Sequence, residues 1–374
     1  MTTKNFFDKQ SDSTAVKIKI LQEYFKGYLP KLLLTFGNCL VADLFCGTGK
    51  NGKEDGSALI FIKEANNFLN DKTIVKKQPG AKVYLFFSDG DKQNIKQLKQ
   101  NISNIEKNDR VIIRRKSYSF DEIFNSITEK LKEAKIPKFF FLDPFSYASF
   151  SMDQLRQLMN LLNTEVLFFW PYNEVYRFKT MQGIEKYPSL IKFLQEFTTK
   201  GIFDYESQKE FLNSIKEKIK HDLQIDLVRP IEINAGSTKK CLFLLTKHWE
   251  GMLLMNQIAW KRAEGGSSVS IRKMNYKQNS LFSKTQMDNL TLEMREFEDS
   301  LKDFLTNNPN ATNDEIVYFT IKEGFLPRHI VEIFNKCKWI EKVIPISKSY
   351  KKGLYISADT LRKNKRFCKF RYKF

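Results

Sequence analysis

The chain has 374 residues, of which 42% are hydrophobic and 28% are charged, and its formal net charge is +19. This composition is typical of a globular protein with room for two domains, and no apolar run is long enough to span a bilayer. Three histidines and five cysteines without metal-ligand spacing argue against a metal site, a Ser-His-Asp enzyme and a disulfide framework.

The charge balance and the start of the chain indicate a location and a class of partner. Residues Met1 to Gln10 are polar and lack the apolar core of a signal peptide, so we expect a cytoplasmic protein. The surplus of Lys and Arg predicts a nucleic-acid partner, DNA or RNA, because such side chains release counterions from phosphates. A Lys-rich codon usage in an AT-rich genome would give the same excess without that partner.

A helix and a strand that ends in a glycine turn are the first predicted elements. Apolar residues four apart predict an amphipathic helix over Gln10 to Tyr28. Leu40 to Phe45 reads as a buried strand, and Gly47 and Gly49 follow it. Glycine tolerates a positive φ and lets a ligand approach bare backbone, and such turns after a first strand bind nucleotides in open α/β sheets.

The stretch VADLFCGTG, Val41 to Gly49, resembles the first motif of class I S-adenosylmethionine (SAM) methyltransferases. A dinucleotide-binding turn would carry a third glycine, which is missing here. The resemblance implies that the turn lies against the methionine part of SAM. The candidate cofactor-binding residues of this motif are Asp43, Phe45, Gly47 and Gly49. A plain glycine turn, or a turn for another nucleotide, is the alternative.

A second strand, Ala81 to Ser88, leads into two acidic residues. Methyltransferases place an acid at this point to bind the ribose hydroxyls, and a carboxylate suits the task because it accepts two hydrogen bonds at once. Asp89 is the first choice for this role and Asp91 the second. The alternative is an acidic cap for the next helix, Lys92 to Ile105, and it fits Asp91 better than Asp89.

Further strands alternate with helices and predict an α/β fold, a Rossmann-like doubly wound sheet of the class I methyltransferase type. After a helical insertion at about 175–225, two strands around Asn234 to Ser237 predict the terminal β-hairpin of that class, and the first domain ends at residue 262. The remaining predicted strands are Arg110–Arg115, Pro137–Leu142, Glu165–Phe169, Asp226–Ile233 and Lys240–Thr246.

The fourth strand runs into Asp143, Pro144 and Phe145, which we take as the candidate catalytic residues. Amino-methyltransferases acting on nucleic-acid bases carry Asp-Pro-Pro-aromatic at this position. There an acid and a proline carbonyl accept the two N–H groups of an exocyclic amine, and a ring stacks on the flipped base. The second proline is absent here, so Tyr147, Trp170 or Tyr172 could stack instead of Phe145. The alternative role for Asp143 is to cap the following helix.

The second domain is predicted after a linker at 263–286 and covers residues 287–374. Helix, turn, helix and a basic hairpin describe a winged helix, in which Pro327 to Lys338 is the recognition helix and Val343–Ile346 and Leu354–Ile356 are the wing strands. Leu361 to Phe374 reads as a basic tail with interleaved aromatic rings. Candidate nucleic-acid-binding residues are Arg328, Lys348, Lys351, Lys352, Arg362, Lys363, Lys365 and Arg366. Protein docking is the alternative use of this domain.

Four stretches, in this order, resemble the bacterial three-Cys-motif partner proteins. They are STAVKIKILQEY (from Ser13), DLFCGTGKNGKEDGS (from Asp43), FFLDPFSYASFS (from Phe140) and TKHWEGMLLMNQIAW (from Thr246). The resemblance covers roughly the first 260 residues and implies a methyltransferase-like sheet and a radical-SAM protein with a cysteine triad as partner. Thr48 stands where proline is commoner in the family, and no proline follows Ser57.

Taken together, these features predict a SAM-dependent methyltransferase acting on nucleic acid, with a radical-SAM partner. The main alternative is a non-catalytic adaptor that keeps the fold and brings nucleic acid to that partner. A nuclease is disfavoured because no clustered Asp, Glu and His set resembles a metal site. Cys46, in the cofactor turn, is expected to pack there and not to act as a nucleophile.

Overall fold

A computed structural model describes residues 12–144, 149–177, 186–200, 204–235, 238–262, 268–270, 284–345, 353–364 and 366–373. Its contacts divide the chain into two compact units. Unit 1 is Met1–Lys247 with Val269–Lys273, and unit 2 is His248–Ser268 with Met274–Phe374. In the part of the chain that the structure describes, no helix is both long and apolar enough to cross a membrane.

Unit 1 alternates strands and helices, as predicted from the sequence. Its first half contains α1 Asp12–Phe36, β1 Asn38–Asp43, β2 Lys50–Asn51, β3 Glu54–Asp55, α2 Ser57–Leu69, α3 Lys72–Lys77, β4 Lys82–Ser88, α4 Lys92–Ser103, β5 Val111–Lys116 and α5 Phe120–Leu131. Its second half contains β6 Lys138–Leu142, α6 Met152–Asn160, β7 Thr164–Trp170, α7 Tyr172–Arg177, α8 Pro188–Phe197, α9 Gln208–Leu223, β8 Leu227–Ala235 and β9 Thr238–Thr246.

The large sheet has the strand order β10-β8-β9-β7-β6-β1-β4-β5, in which β10 is the short segment Ser268–Ser270. Strands β5, β4, β1, β6 and β7 are parallel, and β9 enters antiparallel between β7 and β8. The seven strands from β8 to β5 therefore form a mixed sheet of the Rossmann-like methyltransferase type, with a hairpin at its end. This confirms the predicted α/β class.

Strand β1 is the point at which the order of the sheet reverses. The chain runs outward from β1 to β4 and β5, and then returns to place β6 on the other side of β1. In open α/β sheets, ligands bind outside the carboxyl ends of the strands at such a switch point. The loops after β1, β4 and β6 are therefore where a ligand site is expected.

Helices cover both faces of this sheet, and every residue of its central strands β6 and β7 is buried. Helices α1 and α2 pack on one face, where the ring of Tyr24 stacks on Phe139 at 5.9 Å and Phe25 meets Phe61 edge-on at 4.8 Å. On the opposite face, Phe140, Phe168 and other buried apolar residues join those of α5, α6, α8 and α9 in one hydrophobic cluster. A strand buried on both faces reads as a continuous apolar run, as in Phe139 to Leu142.

Unit 2 is built from helices and a three-stranded sheet of order β11-β13-β12. Its elements are α10 Trp249–Arg262, α11 Lys284–Asn307, β11 Ala311–Thr312, α12 Asn313–Lys322, α13 Pro327–Lys336, β12 Ile340–Pro345, α14 Ala358–Arg362 and β13 Cys368–Tyr372. Helix α10, which the sequence analysis assigned to the first domain, packs in unit 2: Asn256 donates to the carbonyl of Ile321 at 2.9 Å, and the Trp260 indole donates to that of Gly324 at 2.9 Å.

The end of the chain differs from its prediction. Strand β13 pairs with both β11 and β12 and is the central strand of the small sheet. Cys368 and Phe370 are fully buried there, so the segment predicted as a basic tail is part of the core of unit 2. Leu354–Ile356, predicted as a wing strand, is irregular, and Tyr355 within it has a φ of 53°, which lies outside the β region.

Candidate cofactor and acceptor site

Three aspartates lie at the carboxyl ends of neighbouring strands around the switch point. Asp43 is the last residue of β1, Asp89 follows β4, and Asp143 follows β6. They are close enough for the charges of Asp143 and Asp89 to raise the pKa of Asp43. The structure thus brings together three of the residues predicted from separate motifs.

The glycine turn after β1 adopts the backbone conformation that only glycine adopts at low cost. Gly47 has a φ of +55° and Gly49 a φ of +75°. A Cβ on Gly49 would lie 2.6 Å from a methyl carbon of Leu98, so this glycine is required for packing against α4. A Cβ on Gly47 would meet nothing within 4 Å, so the backbone at Gly47 borders open space. Gly47 is therefore the position where a ligand can approach the main chain.

Asp43 is fully buried and forms hydrogen bonds that stabilise the turn. Its carboxylate accepts hydrogen bonds from the main-chain N–H of Phe45 at 3.2 Å and from the hydroxyl of Ser57 at 2.5 Å. Burial raises the pKa of Asp43 to about 7, although these two hydrogen bonds oppose the shift. Through these two hydrogen bonds, Asp43 links the turn to the first residue of α2.

Asp89 connects the second predicted motif to the first. Its Oδ2 accepts from the main-chain N–H of Gly47 at 2.9 Å, and its Oδ1 accepts from the N–H of Asp91 and the amide of Asn94 at 2.9 and 3.0 Å. A carboxylate has about four acceptor positions, so one is left for a ligand hydroxyl. Asp91 is the N-cap of α4 and accepts from Gln93 N–H at 2.8 Å, the alternative role that the sequence favoured for it.

Two further contacts position the turn. The side-chain amide of Asn101 donates to the carbonyl of Thr48 at 2.9 Å, which fixes the residue between the two glycines. The half-buried ring of Phe45 stacks on Phe120 at a centroid distance of 5.1 Å. The ring of Phe45 therefore packs on the first residue of α5, and its role in cofactor binding stays a prediction.

Asp143 forms an ion pair that the sequence analysis missed. Its Oδ2 contacts the ammonium group of Lys17, which lies on α1. The side chain of Lys17 is 7% exposed and that of Asp143 is 26% exposed. Helix α6 is capped by Ser151, which accepts from Gln154 N–H at 3.2 Å and forms a capping box with it. Asp143 is therefore not the cap of the following helix, which removes the alternative role considered for it.

The other residues predicted to act beside Asp143 are either buried or outside the described residues. Pro144 is buried beside Asp143. Phe145 and Tyr147 lie outside the described residues. Trp170 is fully buried, so it offers no face to a base. Tyr172 is also buried and donates to Glu232, and burial raises the pKa of its hydroxyl.

Metal ligands and the thiol of Cys46 are the other groups that could carry chemistry at this site. Across the described ranges, no group of three or more His, Cys, Asp and Glu side chains could hold a metal ion. Cys46 is 5% exposed, and its burial raises the pKa of its thiol well above the usual value. A buried thiol of this kind is a poor nucleophile, as expected from its place in the turn.

The basic residues predicted to bind nucleic acid lie in unit 2, and two of them form ion pairs. Arg328 is exposed in the first turn of α13, next to His329, whose burial lowers its pKa to about 4. Arg362 pairs with Glu250 and Asp359, and Arg366 pairs with Asp314. Lys363 is exposed. Lys348, Lys351, Lys352 and Lys365 lie outside the described residues.

Comparison with known proteins shows a distant structural similarity to class I SAM-dependent methyltransferases. The bifunctional kinase-methyltransferase WbdD has 12% identity and a TM-score of 0.34, over 62% of this chain and 39% of that chain. A SAM-dependent methyltransferase from Agrobacterium tumefaciens has 9% identity and a TM-score of 0.35, over 63% and 62%. The human methyltransferase 10 domain containing protein has 9% identity and a TM-score of 0.30, over 61% and 83%.

These likenesses are of fold alone, and neither an activity nor a substrate follows from them. The chain spans about two fifths of the length of the WbdD chains that it matches. No protein-family model matches the chain. No curated protein matches it either. The resemblance to three-Cys-motif partner proteins therefore stays a prediction.

Proposed function

We propose that the protein is a SAM-dependent methyltransferase that acts on nucleic acid. The observation that carries this proposal is the convergence of Asp43, Asp89 and Asp143 at the carboxyl ends of β1, β4 and β6, around a turn with two positive-φ glycines. The switch point of an α/β sheet is where a nucleoside-containing cofactor binds. SAM would supply a methyl group on a sulfonium, and the residues at β6 would face the acceptor.

The residues of the turn fit SAM in their chemistry. The open space beside Gly47 admits a ligand to bare backbone. Asp89 keeps one acceptor position for a ribose hydroxyl after its three intramolecular hydrogen bonds. Asp43 does not reach a ligand, because it is fully buried, and it would act by holding the turn in place.

The nucleic-acid part of the proposal depends on unit 2 and on charge. Unit 2 contains two consecutive helices, α12 and α13, and strands that pair as β11-β13-β12, with the short helix α14 between β12 and β13. The helix pair supports the proposal of a winged helix, in which α13 would be the recognition helix. Arg328 and Lys363 are exposed in unit 2. The formal net charge of +19 favours a polyanion as the partner. A radical-SAM protein with a cysteine triad would be the second partner.

A non-catalytic adaptor is the second candidate, and one observation favours it. Each of the three site acids already has a partner in the protein: Ser57 for Asp43, Gly47 N–H for Asp89 and Lys17 for Asp143. A fold that kept its shape but had lost catalysis would also satisfy its acids internally. Binding and transfer experiments separate the two candidates.

The first test is calorimetry of the full chain with SAM and S-adenosylhomocysteine. We expect both to bind, and the absence of binding by either compound would remove the cofactor proposal. The second test is transfer of labelled methyl from SAM to bulk DNA and RNA, with and without a radical-SAM partner, for wild type and Asp143→Asn. We expect Asp143→Asn to bind SAM but to transfer at least about 100-fold more slowly. SAM binding without transfer under any condition would favour the adaptor.

A further inference from the structure

Lys17 is a buried lysine at the edge of the proposed acceptor site. Only 7% of its side chain is exposed, although it lies on a helix at the surface of unit 1. Lysine is almost never buried to this extent unless it is paired, and the partner here is the carboxylate of Asp143. The pair joins α1 to the end of β6, 126 residues apart in sequence. The buried ammonium group of Lys17 therefore lies where it can take part in catalysis together with Asp143.

An aromatic ring at the end of β7 also lies close to the ammonium group of Lys17. The ammonium of Lys17 lies 4.5 Å from the centroid of the Phe169 ring, and that of Lys240 lies 5.4 Å from the same centroid. An aromatic face attracts cations, so the ring of Phe169 holds two ammonium groups near the carboxyl end of β7. The ammonium group of Lys17 therefore lies between the carboxylate of Asp143 and the ring of Phe169.

An ammonium group fixed beside the candidate catalytic carboxylate suits one class of acceptor atom better than another. A nitrogen acceptor becomes more positive as it takes the methyl group, and a neighbouring ammonium opposes that change. A hydroxyl oxygen becomes more negative as its O–H bond lengthens, and a fixed ammonium stabilises that change. The site around Lys17 therefore favours oxygen over nitrogen. Internal hydroxyls occur in RNA, as the ribose 2′-OH, and not in DNA.

We propose that Lys17 and Asp143 activate a ribose 2′-hydroxyl of RNA, so that the methyl group is transferred to oxygen. This proposal rests on the proposed methyltransferase function. The hydroxyl donates its proton to the carboxylate of Asp143, and the electron pair of the O–H bond stays on oxygen while Lys17 donates to it. A C–O bond forms to the methyl carbon of SAM, the C–S bond breaks, and sulfur keeps its electron pair as the neutral thioether. The proton then leaves Asp143 for solvent.

The decisive experiment identifies the product made by the wild-type protein, so it does not depend on the folding of a variant. Total RNA and DNA are incubated with the full chain and methyl-labelled SAM, and the RNA is hydrolysed in alkali. A 2′-O-methyl group blocks cleavage of the adjacent phosphodiester, so we expect the label in alkali-resistant dinucleotides. Label on a base, or in DNA, would overturn this inference and leave the methyltransferase proposal standing. No transfer despite SAM binding would overturn both.

Variants of Lys17 test its role directly. We expect Lys17→Met to lower kcat at least about 100-fold, and Lys17→Arg to restore part of the loss because it keeps the charge. Lys19→Met is the matched control, since Lys19 lies on the same helix and is exposed. A kcat for Lys17→Met within a few-fold of the control would overturn the role of Lys17.

A binding measurement gives a readout that does not need turnover. SAM carries a positive sulfonium and S-adenosylhomocysteine does not, so removal of a nearby ammonium should favour SAM. We expect the ratio of SAM to S-adenosylhomocysteine affinity to rise roughly twofold or more in Lys17→Met. A purely structural role would weaken both ligands alike, and an unchanged ratio would contradict the placement of Lys17 beside the transferred methyl.

Discussion

The main-chain N–H of Gly47 donates a hydrogen bond of 2.9 Å to the carboxylate of Asp89. The bond joins the turn after β1 to the residue after β4, which are the first and second predicted motifs of the site. The shape of the turn therefore depends on an acid that lies 42 residues later in the chain. Substitutions at either end are expected to change cofactor binding.

The Asp89→Asn variant should bind SAM and S-adenosylhomocysteine roughly tenfold more weakly, because the NH2 group of asparagine cannot accept, so either the bond from Gly47 or those from Asp91 and Asn94 are lost. Calorimetry on the full chain measures the effect. Asp91→Asn is the matched control, since Asp91 caps α4 and asparagine caps a helix about as well. Equal affinities for the two variants would contradict a role of Asp89 in the site.

The two glycines of the turn should respond differently to alanine. We expect Gly49→Ala to lower the free energy of unfolding by about 2–4 kcal/mol, since the new Cβ would clash with Leu98 at a positive φ. Gly47→Ala should cost only about 1–2 kcal/mol of backbone strain, because its Cβ meets open space. Yet Gly47→Ala should weaken SAM binding, since that space is where the ligand approaches. Denaturant unfolding and calorimetry of both variants test this, and unchanged SAM affinity in Gly47→Ala would contradict it.

The buried carboxyl of Asp43 should make stability depend on pH. Burial raises its pKa from 3.8 to about 7 in the folded protein. Between these values the folded state holds a proton that the unfolded chain has released, so stability falls as pH rises through this window. Asp43→Asn should flatten the profile and be relatively more stable than wild type above pH of about 7. Urea unfolding of both proteins at intervals from pH 4 to 8 measures the difference, and parallel profiles would contradict the raised pKa.

The C-terminal strand changes how nucleic-acid binding should be tested. Removal of Leu361 to Phe374 would take out β13, the central strand of the small sheet, and should unfold unit 2. Point substitutions in the intact chain are the sound alternative. We expect Arg328→Gln and Lys363→Gln each to weaken binding to all sequences alike and to reduce the salt slope by about 0.9 per lost phosphate contact.

The control for these variants is Lys99→Gln, which removes one exposed positive charge from α4 of unit 1. Fluorescence anisotropy with DNA and RNA over a range of salt concentrations gives the slopes. If Arg328→Gln and Lys363→Gln do not differ from this control, the two residues do not contact phosphate, and protein docking becomes the better account of unit 2.

The sequence predicted those features of the fold that depend on local pattern. Apolar runs that end in an acid, as at Asp43 and Asp143, identified the strands and the edge of the sheet at which they end. The glycine turn was recognisable because a positive φ requires glycine. The sequence pattern could not predict the hydrogen bonds of Asp89. Its partners, Gly47 and Asn94, are brought to it by the assembly of the strands and helices.

Lys17 and β13 were missed for different reasons. Lys17 lies four residues before Leu21 and eight before Phe25, both fully buried, so it is in line with an apolar stripe of the helix, but a lone charge usually marks a solvated face. Cys368 to Tyr372 alternates apolar with basic residues, the period-2 pattern of a half-buried strand. Its high charge favoured the interpretation as a tail, although the alternation was the better signal.

Strand β10 gives the chain an interleaved path. After β9 the chain enters unit 2 at His248, returns to unit 1 for Val269–Lys273, and enters unit 2 again at Met274. Two separate segments of sequence therefore build each unit. No single cut in the chain yields two fragments that each contain one complete unit. Fusion or recombination at residue 247 would transfer unit 1 without its edge strand β10, and β8, the outer strand of the hairpin, would lose its pairing with β10. Such a fragment is expected to aggregate, which favours inheritance of the two units together.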